Sequence, residues 1–204
     1  MTINHTTVII IITVIISLLA WQNRNIMGRL IFDPISVNRF KQYDRFITHG
    51  FIHADGMHLL FNMFTLYFFG RVIERFYIAK FGSLGFVAFY VLAIIVAIIP
   101  TYLKNKHNTR YLSLGASGAV SAVLFSFILF APWETLYFFG ILPIPAIVFA
   151  VLYTAYSIYA ERRGMGNTNH SAHLFGAAFG VVATIAVEPA LLLHFVNALL
   201  NPSF

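Results

Sequence analysis

Six apolar stretches, at roughly 2–21, 58–78, 82–102, 114–130, 135–159 and 171–187, set the terms on which this chain folds. Each is close to the roughly 17–25 residues that a helix needs to cross a hydrocarbon core. Lipid offers no water to an unpaired backbone amide, so such a run resolves its hydrogen bonds internally, as a helix. Composition says the same. The chain is 59% hydrophobic and 10% charged with a mean hydropathy of +0.80, whereas a water-soluble globule carries about a quarter charged residues. The net charge of +6 is spread over several loops and reads as membrane-flanking charge, which excludes a nucleic-acid surface. With no cysteine there is no disulfide framework, thiol nucleophile or cysteine metal site.

The first stretch is read as a retained helix: Met1 to His5 holds no Lys or Arg, and Leu18-Leu19-Ala20-Trp21 offers no small-x-small cleavage site. Residues 22–57, with five basic and three acidic residues, are too polar to span and long enough to form a small structure at the interface. No internal repeat or second domain is visible. The expectation is an all-α polytopic membrane protein, 1–204 forming one domain: a six-transmembrane-helix bundle with a long, partly membrane-embedded first loop.

One of these runs is peculiar. Residues 115–122 read GASGAVSA, a serine between glycines with every bulky side chain cleared from its surroundings. From Gly115 to Phe130 the fourth helix has about 16 residues, roughly 24 Å at 1.5 Å per residue, short of a ~30 Å hydrocarbon core. With Trp133 and Glu134 at one interface, the end bearing Ser117 stops inside the membrane, where its free amides require a polar pocket. A serine there is a candidate nucleophile with amide donors beside it. The plainer reading is a helix-packing face of small residues.

Such a serine needs a base, and the sixth run supplies His173 beside a small-residue stripe of Ala172, Gly176 and Gly180. Close packing of the fourth and sixth helices would bring Ser117 and His173 within hydrogen-bonding reach as nucleophile and general base. The competing role for His173 is a structural interhelical bond. Entering the second helix, His58 and Asn62 are four apart and share one face. Together with the Ser117 backbone amide they form a candidate oxyanion hole. A metal site of His49, His53 and His58 is disfavoured, since no HExxH is present.

These motifs resemble, in order and approximate spacing, those of the rhomboid family of intramembrane serine proteases: HxxxN at His58 and Asn62, GxSG at Gly115 to Gly118, and AHxxG at Ala172 to Gly176. The resemblance covers nearly the whole chain as a minimal six-helix core. It implies a Ser117–His173 dyad without a third carboxylate, no cofactor and no metal. The substrates implied are transmembrane segments of other membrane proteins, cut where their helix is weak. It also implies that His53, and with it His49, structure the first loop, and that Glu74 ties helix two to its neighbours. The plainer reading of Glu74 is an ordinary interfacial charge. The alternative within the same fold is an inactive relative that binds transmembrane segments without cutting them. A channel or transporter is disfavoured by the absence of paired repeats.

Two features depart from the family pattern. Members commonly carry an aromatic residue four positions after the nucleophile, packed against the catalytic histidine; here that position is Ser121, and Phe125 or Tyr156 is the expected substitute. Ten of the thirteen Lys and Arg fall in loops one, three and five, and three lie on the opposite side, from the end of helix two to the start of helix three. Charge counting alone puts the catalytic loops in the cytosol. The resemblance instead implies an active site open to the non-cytoplasmic side of the membrane, which in a bacterium is the cell inner or plasma membrane.

Elsewhere, Pro143 and Pro145 are expected to make the fifth helix irregular. Glu188-Pro189 ends the sixth helix, the tail 190–200 lies along the membrane surface, and Gly164 to Asn167 forms a connector or a movable cap. Phe64, Tyr67, Phe68 and Phe69 are read as lipid-facing or packing aromatics.

Overall fold

The computed structural model describes residues 4–138, 141–164, 166 and 168–202. Helix α1 (His5–Gln22) leads into a first loop built from α2 (Arg24–Leu30), α3 (Pro34–Phe40), α4 (Arg45–Thr48) and a 3-10 turn (His49–Phe51). Then come α5 (Gly56–Phe81), α6 (Gly85–Asn105), α7 (Ser117–Phe130), a hairpin of β1 (Thr135–Phe138) and β2 (Leu142–Pro145), α8 (Ala146–Arg163), α9 (His170–Val187) and α10 (Ala190–Leu200). The protein is thus a polytopic, largely helical membrane protein. Helices α1, α6 and α9 are long and apolar enough to cross a bilayer by length and composition alone. Helices α5 and α8 carry charged residues at one end, and α7 has 14 residues, about 21 Å.

Local sequence explains the boundaries. Asn4, Asp33, Asp55 and Asn169 each accept a backbone N–H in the first turn of α1, α3, α5 and α9, replacing a partner the helix start lacks. The first loop does form its own structure: Arg45 is buried and donates to the carbonyls of Gly28 and Ile31, while Thr48 Oγ1 donates to Leu30.

The fifth predicted run, 135–159, is corrected at its start. Thr135–Phe138 and Leu142–Pro145 pair as the strands of a hairpin, and the helix begins only at Ala146 and runs to Arg163. Thr135 pairs with Pro145 and Tyr137 with Pro143, while the Ala146 N–H donates to the Glu134 carbonyl. Alternation along an antiparallel ladder then puts both prolines at positions that donate no ladder bond, the one setting in which a strand tolerates them. Both prolines therefore precede α8 and do not kink it.

Helix α7 is the hub of the bundle, buried along most of its length and packed most extensively against α9. Glycine permits that approach. A Cβ at Gly176 would overlap the Gly118 carbonyl, and one at Gly180 would overlap that of Ala122. Deeper in the bundle Ser126 Oγ, which has the Ala122 and Gly180 carbonyls at 2.8 and 3.0 Å as acceptors, accepts from Thr184 Oγ1 at 2.8 Å, linking the same two helices. At the end of the bundle away from Ser117, Glu74 is buried and accepts from the His5 N–H at 2.7 Å, the Thr6 N–H at 3.1 Å and Thr6 Oγ1 at 2.6 Å. This carboxylate caps α1 and joins it to α5, so it is no ordinary interfacial charge. Phe64, Tyr67 and Phe68 are exposed on α5, whereas Phe69 packs on Phe127. The tail forms α10, held to the body by Trp133 Nε1 donating to the Ala198 carbonyl and by His194 Nε2 at the Phe130 carbonyl, both at 2.9 Å.

Candidate active site

Ser117 is the first residue of α7, so it sits where the helix still has unpaired amides. The segment that delivers it is fixed by the first loop. Phe32 and Ser113 exchange backbone hydrogen bonds at 2.9 and 3.0 Å, and the Gly115 N–H donates to the His49 carbonyl at 2.9 Å. Gly115 turns the chain at φ +113°, a conformation closed to most side chains, and a Cβ there would stand 2.6 Å from the His58 ring.

Two of the expected supporting histidines act on this segment. His53 is fully buried, and its Nε2 accepts the Ala116 N–H at 3.3 Å. Ser17 Oγ donates to the Phe51 carbonyl and therefore accepts from His53 Nδ1–H at 3.1 Å, which fixes the ring as the tautomer that leaves Nε2 free to accept. His49 donates from Nδ1 to the Arg45 carbonyl at 2.8 Å and packs on Phe32. Burial lowers the pKa of His49 to about 4 and that of His53, with the His58 ring adjoining, to about 3, so both rings are neutral near pH 7. Both nitrogens of His53 and Nδ1 of His49 are committed to neighbours, and no group of three His, Asp or Glu side chains able to hold a metal occurs among the described residues.

Helix α9 brings His173 to the serine. Its Nε2 lies 2.7 Å from Ser117 Oγ, close enough for direct proton transfer. The approach follows from the Gly118–Gly176 contact one helix position along, and a Cβ at Gly118 would also stand 2.6 Å from that of Ala97. Asn169, which the sequence reading did not single out, aligns the start of α9. Its Oδ1 accepts the Ala172 N–H and Thr101 Oγ1 at 3.0 and 3.1 Å, and its Nδ2 donates to Ser113 Oγ at 3.2 Å. Its signal was available as a helix-capping Asn just ahead of Ser171-Ala172-His173.

Ser117 and His173 open into a cavity of about 860 Å³ that Asp55, His58, Asn62, Asn169 and Tyr153 also line. The His58 ring stands edge-on to His53, with centroids 4.9 Å apart. Asn62 Nδ2 spends one hydrogen on the His58 carbonyl at 2.8 Å and keeps a second for the cavity. The expected substitutes for an aromatic at position 121 are corrected. Phe125 packs on Tyr153 and Tyr156 on His170, while the ring stacked on His173 is Tyr153, at 5.9 Å and 17°. Sequence does not reveal it, because a helix expected from 135 leaves the facing side of α8 undefined, whereas the helix starts at Ala146. Of the expected cap at 164–167, Met165 and Asn167 lie outside the described residues.

A helical membrane bundle with a serine–histidine pair at a helix start inside a polar cavity is the class defined so far. The family follows from comparison: residues 41–189 match the Rhomboid domain model, and the chain belongs to the rhomboid family. It is similar to RHOMBOID-like protein 12, mitochondrial, of Arabidopsis thaliana, with 34% identity over 164 residues, 73% of this chain and 48% of that protein. It is also similar to Rhomboid-like protein 11, chloroplastic, of the same plant, 29% identical over 153 residues, 71% of this chain and 52% of the relative. Rhomboid protease GlpG of Haemophilus influenzae is 37% identical over 80 residues, 39% of this chain and 38% of its own length. The chain spans about half the length of the Arabidopsis relatives it matches.

Proposed function

We propose that this chain is an intramembrane serine endopeptidase that cleaves transmembrane segments of other membrane proteins through Ser117 and His173, acting as one membrane domain. The observation that carries the reading is the 2.7 Å separation of Ser117 Oγ and His173 Nε2 at the start of a buried helix. His173 takes the hydroxyl proton as Ser117 Oγ bonds to the scissile carbonyl carbon, giving a tetrahedral oxyanion. The Ser117 N–H, His58 and Asn62 are the donors for that oxygen. Collapse of the intermediate breaks the C–N bond, and the proton on His173 goes to the leaving amine. A water then attacks the acyl-enzyme, passes a proton back through His173 and frees the serine. The polar side chains among those that line the cavity support water inside an otherwise apolar bundle.

Substrate helices must give up backbone hydrogen bonds to reach Ser117, which favours segments weakened by Gly, Ala or Pro. The cavity end of the bundle is assigned to the non-cytoplasmic side of the membrane, on the family resemblance. The test is a fluorophosphonate probe on detergent-solubilised protein, read by intact mass. One adduct on wild type, absent from Ser117→Ala and His173→Ala, is expected. Folded wild-type protein without an adduct would overturn the reading in favour of a relative that binds and does not cut.

A further inference from the structure

The side chain stacked on His173 comes from a different helix than the family pattern led one to expect, and it is anchored one turn along from the nucleophile. Tyr153 of α8 lies nearly parallel to the imidazole, centroids 5.9 Å apart and 17° between planes. Its hydroxyl is 2.7 Å from Ser121 Oγ, and Ser121 is buried four residues after Ser117 on the same helix. Phe149 stacks on the Tyr153 ring at 5.6 Å, and Phe125 of α7 packs against it at 5.8 Å. The ring is thus held at its hydroxyl and by neighbouring aromatics, and it forms one wall of the cavity.

We propose that Tyr153, tethered through Ser121, is the positioning residue that sets the His173 ring against Ser117. The assignment rests on the reading of Ser117 and His173 as the reacting pair. A small residue at 121 leaves the space beside α7 into which a ring from α8 reaches, so Ser121 and Tyr153 together do what one aromatic on α7 would do. Aligning the base in this way requires α8 to be seated against α7 at this level. Away from Ser121 that seat is thin, because Val148, Val151, Leu152 and Ile158 of α8 are exposed and an apolar cleft lined by Phe125, Ala150 and Ala155 runs between the two helices. Displacing α8 from α7 would therefore remove the wall from His173 while leaving Ser117, His173 and the α7–α9 packing in place.

The test is the rate of fluorophosphonate labelling of the full chain in detergent, resolved into the maximal inactivation rate and the half-saturating probe concentration. Tyr153→Ala is expected to lower the maximal rate by about ten- to a hundredfold, the scale of a misplaced reacting group, with half-saturation little changed. Tyr153→Phe and Ser121→Ala each remove the same hydrogen bond. Each should slow labelling by the same smaller factor, and the double variant should be no slower than either alone. Ser121→Tyr combined with Tyr153→Ala returns the ring to α7 and should recover part of the lost rate. An unchanged maximal rate in Tyr153→Ala, or independent multiplicative losses in the Tyr153→Phe and Ser121→Ala pair, would overturn the positioning role. The second comparison decides the matter if Tyr153→Ala does not fold. Absence of labelling in wild type would instead overturn the protease reading itself, and the positioning role with it.

Discussion

The backbone of Gly176 lies against the carbonyl oxygen of Gly118 so closely that a Cβ at position 176 would overlap it. This contact between α9 and α7 sets the distance across which Ser117 and His173 meet. Gly176→Val should force the two helices apart. Overpacking costs about 1–3 kcal/mol, and a shift on the order of 1 Å at the pair costs about a hundredfold in rate. The expected outcome is a lower melting temperature in detergent with probe labelling nearly abolished. Gly28→Ala, in open space within the first loop, should leave both unchanged.

Glu74 joins α1 to α5 at the far end of the bundle through its bonds to His5 and Thr6. Glu74→Gln keeps the shape but loses the charge that complements the start of α1 and replaces one acceptor oxygen with a donor. A loss of about 1–3 kcal/mol in stability is expected, measured by unfolding in denaturing detergent, with the labelling rate per folded molecule preserved.

Acid should loosen the first loop. His49 and His53 are held neutral in the folded protein, at about 4 and about 3, against an ordinary value of 6.5. Below 6.5 an unfolded chain binds protons that the folded one refuses. The contribution of these rings is complete above 6.5 and is lost progressively as pH falls from there towards 4. Melting curves from pH 8 to pH 5 should decline on the acid side. His49→Gln, which does not titrate, should flatten that decline.

Orientation is directly measurable because the natural chain has no cysteine. Arg110 is exposed at the cavity end and Arg75 is exposed towards the opposite end of the bundle. In intact cells a membrane-impermeant maleimide should label Arg110→Cys and spare Arg75→Cys. The reverse pattern would place the cavity on the cytoplasmic side, as charge counting alone suggests.

The residues that gather at the cavity were more legible than the shape around them. Ser117, His173, His58 and Asn62 stand out in sequence because polar groups in apolar runs are costly, and the structure gathers them around one cavity. The pairing of β1 with β2 was hidden, since an apolar run of ordinary spanning length gives no sign of whether its N-terminal part is strand or helix. Tyr153 was hidden for a related reason. Which face of α8 meets His173 depends on where that helix starts and how it is rotated, and tertiary packing fixes both. Glu74 was visible as a charge in an apolar run, but its partners are 68 and 69 residues away, and no local pattern announces them.

The most direct test of the account is cleavage in a bilayer. Purified chain is co-reconstituted into liposomes with a single-span substrate whose transmembrane helix carries Gly-Ala near the cavity-side end, and the products are weighed by mass spectrometry. One pair of fragments from a cut within or at the edge of the span is expected, formed by wild type and by neither Ser117→Ala nor His173→Ala. An intact substrate bound to folded wild-type protein, or the same fragments from Ser117→Ala, would contradict it.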